Sequence, residues 1–199
     1  MAGASSDGTV SILSHEDSDD SWDVIKIRDN ALGVNAVSWG PYLDTYMRLV
    51  TGGCDNQVRF WRKKVNTTND NHDTNNTIGD WEIDLESVCG GELNHTDWVR
   101  DVAWSPVRIG GEETVASCSE DGTVLIWTKK ADETIWMPIL LNQFDNPVWR
   151  VSWSLTGNIL AVSSGDGDVT LWKKELDGNW SQVSTVDEAK EEATAVSSE

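Results

Sequence analysis

Cys54-Asp55-Asn56-Gln57-Val58-Arg59-Phe60-Trp61, Glu120-Asp121-Gly122-Thr123-Val124-Leu125-Ile126-Trp127 and Gly165-Asp166-Gly167-Asp168-Val169-Thr170-Leu171-Trp172 are three copies of one pattern. A turn Asp precedes an alternating strand that ends in Trp. A fourth copy, Ser6-Asp7-Gly8-Thr9-Val10-Ser11-Ile12-Leu13, opens the chain with Leu in place of Trp. Self-similarity of this kind marks a repeat architecture, in which each unit buries its core against its neighbours.

Other strands recur with it. Val34-Asn35-Ala36-Val37-Ser38-Trp39, Val99-Arg100-Asp101-Val102-Ala103-Trp104 and Val148-Trp149-Arg150-Val151-Ser152-Trp153 share apolar residues at positions one, four and six. Between these and the Asp turn lie small and β-branched runs, Arg48 to Gly53, Thr114 to Ser119 and Asn158 to Ser163, which suit a strand covered on both faces. An outer strand follows each Trp-ended strand or its Leu-ended counterpart, over Trp22–Arg28, Trp81–Val88, Thr134–Leu141 and Asn179–Val186. Four strands per unit predict an all-β fold, a WD-repeat β-propeller, here an open arc of about three complete blades plus a partial one.

The turns are expected to be two-residue hairpins of type I′, since Asp, Asn and Gly tolerate positive φ best. In the WD pattern a His before the first strand, a Ser or Thr on the second, the turn Asp and the final Trp form a buried hydrogen-bonded set. His95, Ser117, Asp121 and Trp127 match it in one blade. The other blades lack the His, so Asp7, Asp55 and Asp166 are expected to brace their own turns.

The chain has twelve Trp against two Tyr and two Phe. Those at 39, 61, 98, 104, 127, 149, 153 and 172 belong to the repeat or sit beside it, and all eight are assigned to the core. The formal charge of −19 disfavours direct nucleic acid or anionic lipid as a partner, because both need cationic patches. Arg62-Lys63-Lys64, Lys129-Lys130 and Lys173-Lys174 read as solvated strand ends. Cys54, Cys89 and Cys118 lack paired metal-ligand spacing and read as buried thiols.

Asn66 to Asn76, rich in Asn, Thr and Asp, reads as a mobile loop, and Asp70, His72 and Asp73 within it lack the Gly and Glu of a calcium loop. Residues 187–199 read as a disordered acidic tail. No phosphate loop, HExxH or nucleophile elbow is present, so no catalytic residue, metal or cofactor is assigned and an enzyme is not expected. No apolar run approaches the ~20 residues that span a bilayer, and the opening residues do not read as a signal peptide, so a cytosolic or nuclear location is expected.

The run His95-Thr96-Asp97-Trp98-Val99-Arg100-Asp101-Val102-Ala103-Trp104-Ser105-Pro106 resembles the fifth blade of the small WD-repeat subunit of the COPII vesicle outer coat, a family that also serves the nuclear pore Y-shaped complex. Val148 to Asn158, Leu160 to Ser163, Val169 to Lys173 and Gly178 to Trp180 resemble its sixth blade, and Val50 to Asn56 its fourth. The resemblance divides the chain into a partial blade at 1–29 like the end of the third, then 30–90, 91–144 and 145–186 like the fourth, fifth and sixth. It implies blade-core roles for Trp39, Trp61, Trp104, Trp153 and Trp172, and a non-enzymatic scaffold in transport from the endoplasmic reticulum to the Golgi.

The partners so implied are α-solenoid proteins, the large subunit of the COPII outer coat and a Y-complex nucleoporin. Each inserts a blade between the last and first blades, using edge strands for β-augmentation. Membrane association would be indirect, through the coat, at endoplasmic reticulum exit sites and vesicles, with a second location at nuclear pores. Because the chain starts inside what resembles the third blade, only half the socket is expected, and weak partner binding with it. The alternative is a peptide-reading WD adaptor such as a substrate receptor. That role needs Arg, Lys or aromatic side chains on the loops, and these loops offer mainly Gly, Ser, Asn and Asp.

Overall fold

A computed structural model describes residues 1–16, 20–42, 46–65, 81–84, 93–130 and 133–186. The 66–76 loop, the acidic tail, the 70–73 cluster and Cys89 lie outside them. The described residues form fifteen strands in four antiparallel sheets and no helix. The first sheet holds β1 (Ala2–Ala4), β2 (Thr9–Glu16) and β3 (Ser21–Arg28). The second holds β4 (Val34–Trp39), β5 (Tyr46–Gly53), β6 (Val58–Lys64) and β7 (Glu82–Ile83). The third holds β8 (Val99–Trp104), β9 (Glu113–Ser119), β10 (Thr123–Lys129) and β11 (Met137–Gln143). The fourth holds β12 (Val148–Trp153), β13 (Ile159–Ser164), β14 (Val169–Lys174) and β15 (Trp180–Val186).

In every sheet the strands pair in chain order, so each is a meander. The sheets are called blades three to six here. Their faces pack in succession through three apolar clusters. Val10, Ile12, Ile27, Val34, Leu49 and Trp61 join blades three and four. Val50, Phe60, Val99, Trp104, Leu125 and Trp127 lie between four and five. Ala116, Ile126, Val148, Leu160, Val162 and Trp172 lie between five and six. None of these clusters joins blade three to blade six, so the fold is an open arc.

The inner strands tie the blades polarly as well. Asn35 donates to the Val99 carbonyl at 2.8 Å, the Trp104 N–H donates to Ser38 at 3.0 Å, and the Val151 N–H donates to Asp101 at 3.2 Å. Blade four approaches blade five so closely at Gly52 that an added Cβ would come within 2.5 Å of Val99 Cγ1. That contact explains a glycine inside a buried strand.

The four Asp turns differ from the expected type I′. Only one residue in each has positive φ: Gly8, Asn56, Gly122 and Gly167, at 82°, 66°, 79° and 90°. Their N–H groups bond back to the carbonyls of Ser5, Gly53, Ser119 and Ser164. The geometry is a type I turn closed by one left-handed residue, a three-residue hairpin loop. The Asp stands just before that residue, where its carboxylate accepts the N–H two positions on, from Thr9, Gln57, Thr123 and Asp168.

The basic strand ends are not simply solvated. Arg62 pairs with Glu82 at 2.9 Å and Asp84 at 3.2 Å, and Lys174 pairs with Glu112 at 2.5 Å across blades five and six. Lys129 lies 5.2 Å over the Trp136 ring. A buried pair, Arg48 and Glu113 at 2.5 Å, links blades four and five, and Arg108 also reaches Glu113.

Candidate functional site

The four residues read as a WD network meet in blade five. Trp127 Nε1 donates to Ser117 Oγ at 2.9 Å, and His95 Nε2 lies 2.7 Å from the same oxygen. Thr123 enters the set, its hydroxyl 2.8 Å from His95 Nδ1 and 2.6 Å from Asp121 Oδ1. Asp121 Oδ2 takes the Thr96 N–H at 2.7 Å and lies 3.5 Å from His95. Burial alone would raise the Asp121 carboxyl, but the bonds from His95, Thr123 and Thr96 outweigh it and hold it well below the usual carboxylate range.

Blade four reaches the same end with other chemistry. Asp29 takes the place of the His, accepting Thr51 Oγ1 at 2.5 Å and Trp61 Nε1 at 3.1 Å. Arg59 bridges Asp29 and Asp55 at 3.1 and 2.5 Å. Asp55 is therefore an ion-pair partner as well as a turn brace, which adds to its expected role. In blade six Val162 replaces the hydroxyl, and Trp172 Nε1 turns to Thr170 at 2.9 Å on its own strand. Asp166 accepts Ser164 Oγ at 2.6 Å and the Asp168 N–H at 3.1 Å. Asp7 in blade three braces Thr9, whose hydroxyl bond, with help from Ser5, lowers its carboxyl to about 2.

Among the repeat tryptophans, Trp61, Trp104, Trp127 and Trp172 are buried and Trp39 and Trp153 half-buried. Trp98 and Trp149 are not core residues: each is 44% exposed. The cause is a β-bulge at the second residue of each inner strand, at Asn35, Arg100 and Trp149. The bulge lets positions one and four both face the core and turns Trp149, which was assigned to the core as part of the repeat, toward solvent.

The residue missed in the sequence is Trp136, fully buried and stacked on Phe60 at 4.3 Å. A signal for it exists. Each outer strand has a Trp within one residue of its start, and in blades four to six it faces the Trp that ends the inner strand of the same blade. The pairs are Trp39 with Trp81, Trp104 with Trp136 and Trp153 with Trp180, at 5.7, 5.4 and 5.8 Å. In blade three, Trp22 packs on His15 at 5.0 Å instead and is 53% exposed. His15 lies in strand β2.

The blade-five bonds tie the Asp121 turn to the neighbouring strands and to the Trp127 ring. Among the described residues no group of three or more His, Cys, Asp or Glu is placed to hold a metal ion. Burial raises the Cys118 thiol far above its ordinary value, and a protonated thiol is a poor nucleophile.

One surface stands apart from this internal bonding. On β13 and β14, Leu160, Val162, Ser164, Thr170 and Trp172 are buried against blade five, while Ile159, Ala161, Val169 and Leu171 between them are only partly covered. The far face of blade six carries these apolar side chains and has no neighbour among the described residues. What it offers is side chains, not a free strand edge.

The "WD domain, G-beta repeat" family model matches residues 24–62, 87–128 and 139–173. Human "Protein SEC13 homolog" is 39% identical over 96% of this chain and 59% of its own. "Protein transport protein SEC13 homolog B" of Arabidopsis thaliana is 47% identical over 73% and 43%, and "Protein transport protein sec13" of Emericella nidulans 39% over 94% and 59%. The chain thus spans about half the length of the curated relatives it matches. With its repeats, its blade meanders and these relatives taken together, the chain belongs to the WD-repeat family and, within it, to the SEC13 proteins.

Proposed function

We propose that this chain is a non-enzymatic scaffold element in protein transport, acting in the COPII outer coat and at the nuclear pore. Its partner is an α-solenoid subunit that donates a blade. The observation that carries the reading is the far face of blade six, where apolar side chains equivalent to buried ones in blade five lie half-covered. An added sheet would pack there face to face at the ~10 Å spacing of stacked sheets. That mode differs from adding a strand to an edge, because the apolar groups stand on the face. The names of the plant and fungal relatives, protein transport proteins, support the process.

Co-expression with the insertion segment of a COPII solenoid subunit tests it. The 199-residue chain, and the same chain carrying Ala161→Arg and Leu171→Glu on the open face, are run with the segment by size-exclusion chromatography. Weak co-elution with the first, made stable when further blades are supplied N-terminally, and none with the second in either form is expected. Co-elution with neither, even when further blades are supplied N-terminally, rejects the blade-donation reading.

A further inference from the structure

The end of the arc that carries the Asp turns and the loops before the inner strands holds a second surface. There Trp98 of blade five and Trp149 of blade six clasp Arg100, whose Cζ lies 5.1 and 5.0 Å from their rings. Glu120 pairs with Arg100 and offsets its charge. Trp98 is fixed through its backbone: its main-chain N–H donates to the Asp97 carboxylate at 2.7 Å and its carbonyl accepts the Glu120 N–H at 3.0 Å. Trp149 sits on the bulge with its Nε1 against Gly165, where a Cβ would approach to 3.3 Å. Aromatic groups ordered in advance lose little conformational entropy when a ligand lands on them, which is the economy of a binding hot spot.

Next to Trp149, around the 145–147 loop, lies a polar cavity of about 300 Å³ walled by Asp145, Asp166 and Asp168. Arg150, next to Trp149 on the same strand, already faces Asp101 at 3.9 Å. The field on this face is negative, as is the chain as a whole at −19. Negative potential and tryptophan π-faces both favour a cation.

We propose that this face of blades five and six docks a basic segment of a partner protein. One arginine or lysine of that segment lies on the Trp98–Trp149 pair, and another enters the Asp145–Asp166–Asp168 cavity. This surface is separate from the open face of blade six and does not rest on blade donation. It also revises the sequence argument against peptide reading, since the aromatic and guanidinium groups that argument sought stand on the first two residues of the inner strands and just before them.

The experiment is fluorescence anisotropy of the full chain with a labelled peptide alternating arginine and glycine, and with the same peptide carrying glutamate for arginine. Saturable binding of the arginine peptide alone is expected. Trp149→Ala should weaken it about tenfold, the size of one partly desolvated cation–π contact. Trp149→Tyr should restore most of the loss, and Asp166→Asn with Asp168→Asn should weaken binding and flatten its salt dependence. Equal binding of both peptides, or of none, overturns the proposal. So does unchanged affinity in Trp149→Ala with a normal urea midpoint, whatever the Asp variant does, because only diffuse attraction would then remain. If Trp149→Ala fails to fold, the tyrosine and Asp variants decide, and full loss in Trp149→Tyr or no loss in the Asp variant counts against the site.

Discussion

Blades five and six are written in nearly the same residues and buried in different ways. In blade five, Val115, Ala116, Ser117 and Cys118 on β9 and Val124 through Trp127 on β10 are all buried. In blade six the aligned strands alternate, one residue buried and the next half-covered. Apolar character on both faces of a strand states that both faces are meant to be covered. Blade six keeps that character on a face with no described neighbour, so its sequence describes an environment that the arc alone does not supply.

The comparison breaks most visibly at the tryptophans. Trp136→Ala in blade five should cost about 3 to 5 kcal/mol, since it empties a fully buried site against Phe60 and Trp104. Trp180→Ala in blade six, where the ring is half-buried, should cost clearly less by urea unfolding. Equal losses would mean that blade six is as enclosed as blade five.

A smaller effect separates the strand centres. Ile126→Ala should lose about 2 to 4 kcal/mol, and Leu171→Ala, its counterpart on the open face, roughly half that. A donated blade that covers Leu171 should bring the two values together, which turns the same pair of variants into an assay for docking.

Next come the turns. Asp121→Ala removes the acceptor for Thr96, Thr123 and the His95 ring and should cost about 1 to 3 kcal/mol. Asp166→Ala removes only local bonds at an exposed turn and should shift the urea midpoint less. A larger loss at Asp166 would show that the blade-five network contributes little.

The smallest effect is on pH dependence. The folded-state value of Asp121 is depressed, so its contribution is complete above the unfolded value of about 4 and fades as pH falls from there toward the folded value. Urea midpoints taken from about pH 6 to about pH 3 should therefore fall less steeply in Asp121→Asn than in the parent. Asp166→Asn should change that slope in the same direction and by less. A steeper acid limb in Asp121→Asn is the outcome that contradicts this assignment.

The strands were legible in the sequence because alternation and β-branched runs follow directly from a pleated sheet packed on both faces. The turn type was not, because type I′ hairpins and type I turns closed by a left-handed residue ask for the same Asp, Asn and Gly. The blade-five network could be read from His95 and Ser117. Its counterpart in blade four could not, since Asp29 is a different residue type and the stretch from Asp29 to Val34 is one residue longer than that from His95 to Val99. Trp98 and Trp149 are misplaced when membership of the repeat alone is read as burial; the odd spacing between apolar positions one and four is the mark of the bulge that turns Trp149 outward. Trp136 was passed over because attention to the strand-ending tryptophans hid a second series at the starts of the outer strands.

The units that repeat in the chain and the sheets that fold are out of phase by one strand. The matched stretches begin in an outer strand, β3 or β11, and run through three strands of the next sheet, to Arg62 and Lys173. Blade four's inner three strands and blade six's inner three strands therefore belong to repeats that open in the preceding sheet, and β15 lies beyond the last matched stretch. Tandem duplication of one such unit would lengthen the arc by a blade without altering the chemistry of its final face. Growth of the array and preservation of the open apolar face of blade six are thus compatible within one folding rule, and a lineage can change blade number without redesigning that face.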